Sequence, residues 1–171
     1  ISITGRGGVG KTRLALEVVS RLRREREVIL VSLAGRKDAE ALVPAIVAAA
    51  GITVAPGVSS LAVLLDRLAS GASTVVVLDG CERFPEAGEV VQDLIARVDE
   101  LVVIATSQRP LGIPAENVVR LASLPVPDSG VSDIELLLQF PSVALYRQRA
   151  RAADHSFDLT AANATQDAEL C

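Results

Sequence analysis

Gly5-Arg6-Gly7-Gly8-Val9-Gly10-Lys11-Thr12 decides how the rest of this chain is read, because the stretch fits the pattern G-x-x-x-x-G-K-T in full. Ile1-Ser2-Ile3-Thr4 before it reads as the end of a β-strand. From Arg13 onward Leu14, Val18 and Leu22 recur at helical spacing, and Arg21, Arg23 and Arg24 load the far end, where cations suit the helix dipole. Strand, glycine-rich turn and helix in that order build a cradle for phosphate. Backbone N–H groups from about Gly8 to Thr12 point at a β-phosphate above the positive end of the helix. Lys11 reaches the β- and γ-phosphates, and the Thr12 hydroxyl ligates Mg²⁺. The expected nucleotide-contacting set is Gly5, Gly7, Gly8, Val9, Gly10, Lys11, Thr12 and Arg13, with Asp79 from further along. The competing reading, a glycine-rich turn that binds nothing, leaves the matching strand and helix unexplained.

The surrounding composition agrees with a packed α/β domain. The chain has 171 residues, of which 50% are hydrophobic, enough to bury a real core and to exclude disorder for most of it. Those apolar residues are almost all Ala, Val, Leu and Ile, since three Phe and one Tyr are the only aromatics. That argues against a module stacking single-stranded nucleic acid. A net charge of -4 and a pI near 5.1 leave no footprint for phosphate backbones, so direct nucleic-acid binding by this segment is not expected. Cys81 and Cys171 lack metal-ligand spacing and suggest neither a disulfide framework nor a zinc site, which fits a reducing cytoplasm.

Ala41 to Leu65 carries no charge, but Pro44, Gly51, Pro56 and Gly57 break it into short amphipathic pieces, too short to span a membrane. No signal peptide is visible. The sequence holds no Met, which marks it as a segment of something longer.

Outward from the loop, apolar β-rich runs alternate with helical patterns. Val28-Ile29-Leu30-Val31 reads as a strand covered on both faces, followed by helices around Leu42 to Ala50 and through Leu61, Leu64, Leu65 and Leu68. Val75-Val76-Val77-Leu78 is a buried strand. A helix carrying Val90, Val91, Leu94, Ile95 and Val98 leads to the strand Leu101 to Ala105, and a fifth strand lies near Val118 to Leu121. This alternation predicts a three-layer α/β fold with a parallel sheet and right-handed crossovers. Turn formers from Leu124 to Gly130 mark a boundary, and Ser142 to Ala153 and Thr160 to Leu170 read as helices. The expected organisation is a nucleotide-binding domain over 1–124, a linker over 125–141 and the start of a helical subdomain over 142–171.

Magnesium needs a second anchor, supplied in such domains by an acid at the end of a neighbouring buried strand. Asp79 closes Val75 to Leu78 and is in that place; an Asp capping the turn before Gly80 is the lesser reading. Glu82 is either a group that orients attacking water, or acts as base, or a solvated loop acid. Ala105-Thr106-Ser107-Gln108-Arg109-Pro110 places hydroxyls, an amide and a guanidinium past the fourth strand. If that strand inserts between the loop strand and the Asp79 strand, Arg109 or Gln108 can sense a γ-phosphate; a surface Arg before a proline turn is the plainer reading. His155, the only histidine, reads as exposed, and Arg147, Arg149 and Arg151 as a solvated helix face.

Four ordered stretches together resemble a known family: Gly5 to Ala15, Val75-Val76-Val77-Leu78-Asp79-Gly80-Cys81-Glu82, Ala105 to Glu116, and Leu124-Pro125-Val126-Pro127. They are similar to successive motifs of the STAND-class P-loop NTPase domain, akin to NB-ARC domains, of bacterial transcriptional regulators of the LuxR and SARP/AfsR types. The likeness extends to Val143 to Ala152 and covers nearly the whole chain. It implies the strand order 5-1-4-3-2, ATP and ADP with Mg²⁺ as ligands, and a switch that is ADP-bound and closed at rest. In the ATP-bound open state such a switch forms homo-oligomers, and its DNA-binding domain lies elsewhere in the polypeptide.

Two positions depart from the pattern. Gly80 stands where relatives often carry a second acid, and Gln108 where a sensor arginine follows Thr-Ser, with Arg109 one place late. Slow or absent hydrolysis follows from both. The family's Gly-Leu-Pro-Leu motif falls after Cys171. Two other classes remain: a small-molecule P-loop kinase, for which Ser32 to Asp38 offers no obvious acceptor pocket, and an interaction scaffold that has lost nucleotide, which an intact Lys11, Thr12 and Asp79 oppose. No Asn-Lys-x-Asp occurs, so GTPase signatures are missing.

Overall fold

Every apolar run read as a strand pairs with another, and the helices between them close over both faces of the resulting sheet. The structure, a computed structural model, describes residues 1–35, 42–71, 73–114, 116–128, 131, 133–160 and 163. β1 (Ser2–Thr4) runs through the glycine-rich loop into α1 (Lys11–Leu22); β2 (Glu27–Ser32) is followed by α2 (Leu42–Ala49) and α3 (Ser60–Ala69). β3 (Thr74–Asp79) leads through a 3₁₀ turn at Cys81–Arg83 to α4 (Ala87–Arg97), then come β4 (Val102–Ser107) and β5 (Val118–Arg120). All pairings are parallel, and the order across the sheet is β2-β3-β4-β1-β5, which is the expected 5-1-4-3-2.

β3 shows why this sheet has helices on both sides. Val75, Val76, Val77 and Leu78 are each no more than 1% exposed, and alternate residues point to opposite faces. Val75 and Val77 join Ile3, Ile104 and the α1 residues Ala15 and Val19. Val76 and Leu78 join Leu42, Ile46, Leu64, Val91 and Leu94 from α2, α3 and α4. Full burial of one such side chain contributes about 1.5–3 kcal/mol, so the β-rich runs are fixed by the layers on either side of them.

Two expectations shift in detail. The inward face of α1 centres on Ala15 and Val19, with Leu14, Val18 and Leu22 half-buried at its flanks, because small Ala15 lets the helix approach the sheet. β2 is less covered than expected: Val28 and Leu30 are only half-buried, since the strand order leaves β2 at the sheet edge.

The chain divides into two compact units, residues 1–122 and 123–171. In the second, α5 (Ile134–Leu137) lies within the stretch read as linker and is capped by the Asp133 carboxylate, which accepts the N–H groups of Glu135 and Leu136. α6 (Pro141–Ala153) covers the helix expected from Ser142 to Ala153. Leu137, Val143 and Leu159 form this unit's own core. The helix expected over Thr160 to Leu170 lies almost wholly outside the described residues, as do Arg36, Lys37, Asp38 and Cys171. Among the described residues no helix is long and apolar enough to cross a membrane.

Candidate functional site

β1 is paired on both sides, so the loop that leaves it starts from a fixed point between β4 and β5. Thr4 accepts the N–H of Leu121 at 2.7 Å, drawing the chain after β5 against the first loop residue. There a side chain has no room: a Cβ on Gly5, whose φ is +155°, would stand 2.6 Å from the Leu121 carbonyl oxygen. The loop ends at Gly10, in the left-handed region at φ +100°, which caps α1 without any side-chain hydrogen bond. The first turn of α1 thus has no side-chain capping oxygen and carries no acidic residue of its own. Lys11 folds back over the loop, its Nζ donating to the carbonyls of Gly5 at 3.0 Å and Arg6 at 2.9 Å. Arg6, Gly7, Gly8, Thr12 and Arg13 are exposed, while Val9 is half-buried.

Asp79 reaches this loop through one hydrogen bond. The Thr12 hydroxyl donates to Asp79 Oδ1 at 2.7 Å, and the Thr106 hydroxyl donates to the same oxygen at 2.6 Å. Asp79 and Thr106 face one another in the β3–β4 register, and β4 does insert between β1 and β3. Gly80, in the left-handed region at φ +93°, turns its N–H onto Thr106 Oγ1 at 2.9 Å. A glycine is favoured there by the backbone. Hydroxyl, carboxylate, phosphate oxygen and water suit Mg²⁺, which keeps several waters and needs only one or two carboxylates. Among the described residues no three His, Cys, Asp or Glu side chains gather as an all-protein metal site. Burial first, and then the Glu82 and Asp79 carboxylates, push the Cys81 thiol up to about 12, so it stays protonated and is no nucleophile.

Glu82 and Arg109 line one cavity. Both are exposed, and with Gln108, Ser107, Phe84 and Leu111 they line a cavity of about 400 Å³ whose walls come from the turn after β3 and the loop after β4. The structure therefore links Lys11, Thr12 and Asp79 with the loop by hydrogen bonds, and gathers Glu82, Gln108 and Arg109 along a cavity past the ends of β3 and β4.

Sequence reasoning missed the role of Glu116. Its carboxylate accepts the N–H groups of Leu111 at 2.7 Å and Gly112 at 2.8 Å, closing the loop that carries Arg109. An acid four or five residues after a Pro-Leu-Gly turn was the available signal. Burial raises the Glu116 carboxyl, but hydrogen bonds from the Ser2 hydroxyl and from the N–H groups of Leu111, Gly112 and Ile113 outweigh it and hold the group below its ordinary range. A depressed folded pKa adds stability above the unfolded value, near 4.5, and loses it as pH falls through the folded value. Melting temperatures of the wild type and Glu116→Gln should therefore differ at neutral pH and converge on acidification; a constant offset down to about pH 3 would refute the clamp.

In the second unit, His155 is exposed as expected. The arginine face is not simply solvated, because Arg147 donates to Asp158 at 2.8 Å and Arg151 lies 3.9 Å from the same carboxylate.

The family model described as an AAA domain matches residues 1–111, which include the loop, Asp79 and Thr106. The chain belongs to the AAA domain family. It is thus an AAA-type P-loop NTPase domain. Among curated proteins, one named as an HTH-type transcriptional regulator in Mycobacterium tuberculosis is 28% identical over all of this chain, and so is its Mycobacterium bovis counterpart. The chain spans 18% of their length. An uncharacterized M. tuberculosis protein is 25% identical, again over the full chain, which spans 41% of it. The P-loop fold is shared with Cdc6p from Pyrobaculum aerophilum, at a TM-score of 0.56 and 16% identity over 73% of this chain and 38% of that one. It is shared also with a chain of Drosophila ORC bound to DNA, at 0.54 and 16% identity over 89% of this chain and 43% of that one. The FIGL-1 AAA domain in complex with ADP aligns at 0.51 and 16% identity over 99% of this chain and 53% of that one.

Proposed function

We propose that this AAA domain is the ATP- and ADP-binding switch module of a larger bacterial transcriptional regulator of the STAND class. The observation that carries the reading is the contact of Thr12 with Asp79 at 2.7 Å, which joins the glycine-rich loop to the end of β3 as a Mg²⁺-nucleotide site requires. Backbone N–H groups of the loop and of the first turn of α1 hold the phosphates, and Lys11 exchanges its two loop carbonyls for β- and γ-phosphate oxygens. Thr12 and Asp79 would hold Mg²⁺ or its waters, and the bound cation would supply neutralisation of the phosphate charge. Gly5, Gly7, Gly8, Val9, Gly10 and Arg13 complete the contact surface.

Glu82 orients the attacking water and Arg109 senses the γ-phosphate, both from the cavity past β3 and β4. Hydrolysis is slow because Gly80 leaves no second acid beside Asp79. The organisation remains 1–124 for nucleotide, 125–141 as connection and 142–171 as the opening of a helical subdomain. Identity across the whole chain with proteins named as HTH-type transcriptional regulators supports the regulatory setting. DNA contact then belongs to other parts of the polypeptide, ATP drives homo-oligomers, and the protein works in the cytoplasm away from membranes.

The test is nucleotide titration by calorimetry with Mg²⁺ and with EDTA, on the wild type and Asp79→Ala. Wild-type affinity should rise with Mg²⁺, and Asp79→Ala should lose about tenfold or more of that rise while keeping the EDTA affinity. Equal losses under both conditions would make Asp79 a turn cap and remove the cation from the reading.

A further inference from the structure

Thr106 is only 1% exposed, yet its hydroxyl is fully engaged at the end of β4 nearest the phosphate-binding loop. The direction of its proton follows from its partners. Gly80 N–H can only donate, so at 2.9 Å it occupies a lone pair of Thr106 Oγ1. The single Thr106 proton is then committed to Asp79 Oδ1, 2.6 Å away. Thr12 adds its own proton to that same oxygen at 2.7 Å. Both hydroxyls therefore fall on Oδ1 and hold that oxygen of the carboxylate.

We propose that Thr106 is the positioning residue for the cation-side carboxylate: through the relay Gly80 N–H to Thr106 Oγ1 to Asp79 Oδ1 it locks Asp79 in the rotamer that serves Mg²⁺. This inference rests on the reading of Asp79 as the carboxylate that holds Mg²⁺ or its waters. Three features carry it. The Asp79–Thr106 register in the parallel β3–β4 pair sets the two side chains at the same level, so their contact is built into the sheet. Gly80 at φ +93° directs its N–H at the hydroxyl. Thr106 is only 1% exposed, which limits competition from bulk solvent for its proton. A hydroxyl bonded in this way differs from a γ-phosphate contact, since neither its proton nor the lone pair held by Gly80 is available to nucleotide.

Partners that orient a metal ligand typically change metal affinity 10- to 100-fold when lost. The decisive quantity is the ratio of nucleotide affinity in Mg²⁺ to that in EDTA, because a general loss of structure lowers both and leaves the ratio alone. Calorimetric titration of the 171-residue chain with ADP should give a ratio in Thr106→Val about tenfold or more below the wild type, with EDTA affinity unchanged. Thr106→Ser keeps the hydroxyl and should keep the wild-type ratio. Thr74→Val, a buried threonine at the opposite end of β3, should keep it too.

A folded Thr106→Val with the wild-type ratio overturns the positioning role while leaving the Asp79 site standing. If valine prevents folding, serine carries the test, and a folded Thr106→Ser that loses the ratio overturns the proposal. A wild-type chain with no Mg²⁺ enhancement overturns the cation site, and this inference with it.

Discussion

Lys11→Ala should abolish measurable nucleotide binding while the protein still folds. Lys11 begins α1 but belongs to neither face of the sheet core; its Nζ rests on the carbonyls of Gly5 and Arg6. Those two bonds are partly solvated, so their loss costs roughly 1–2 kcal/mol and a few degrees of melting temperature. Bound nucleotide presents the opposite balance. The ammonium is the loop's one charged side chain that the motif aims at the β- and γ-phosphates, and charge-assisted bonds to phosphate are about twice as strong as neutral ones. Losing two of them at roughly 1.5–3 kcal/mol each weakens binding by at least about a hundredfold. Calorimetry and thermal melting on the same preparations separate the two effects. Unchanged affinity in a folded Lys11→Ala would sink the nucleotide assignment, whereas a protein that no longer melts cooperatively would show Lys11 to be structural.

Gly5→Ala should bring the largest loss of stability available from a single methyl in the loop. The new Cβ stands 2.6 Å from the Leu121 carbonyl oxygen, closer than real Cβ atoms come to anything. Relief requires movement of backbone on one side or the other, and neither side is free. Leu121 N–H is held by the Thr4 carbonyl at 2.7 Å, and β5 is paired with β1 from Ser2↔Val118 to Thr4↔Arg120. Overpacking of this kind costs about 1–3 kcal/mol, and a side chain at φ +155° adds about 1–2. The expected fall in melting temperature is roughly 10 °C, with weaker nucleotide binding because the loop starts from a displaced point. Gly7→Ala is the internal control: nothing lies within 4 Å of its Cβ and its φ is not in the left-handed region, so it should melt close to the wild type. If the two variants melt alike, the close approach of the loop to the chain after β5 has no energetic weight.

The loop of the proposed site was legible in the sequence. The glycine-rich loop is local: its residues are consecutive, and their chemistry depends on a strand before and a helix after, both of which the sequence patterns give. Asp79 was legible because a carboxylate at the end of an apolar run has little to do in a core. Gly80 and Gln108 stood out against the resemblance, with no conformational reason visible in the sequence. Gly80 makes a left-handed turn that sends its N–H to Thr106, and a one-dimensional pattern carries no φ. Thr106 was quoted as one hydroxyl among several past the fourth strand. Its commitment to Asp79 needs the β3–β4 register, and Glu116 likewise acts through loop geometry four and five residues back.

The sequence by itself determined the elements and their alternation, and it marked Gly5 to Thr12 as the proposed phosphate loop, because hydrophobic period and turn residues act over neighbours. Strand order is a different matter: it came from likeness to a family, and in the structure it is decided by which apolar faces can be covered together. β4 stands between β1 and β3, and that insertion alone brings Thr12, Asp79 and Thr106 onto one oxygen although they are 67 and 27 positions apart in pairs. Tertiary structure also grouped the remaining candidates, with Glu82 and Arg109 lining one cavity and Arg147 paired to Asp158. Contacts between distant residues depend on how layers pack over both faces of the sheet, and no local pattern encodes that choice.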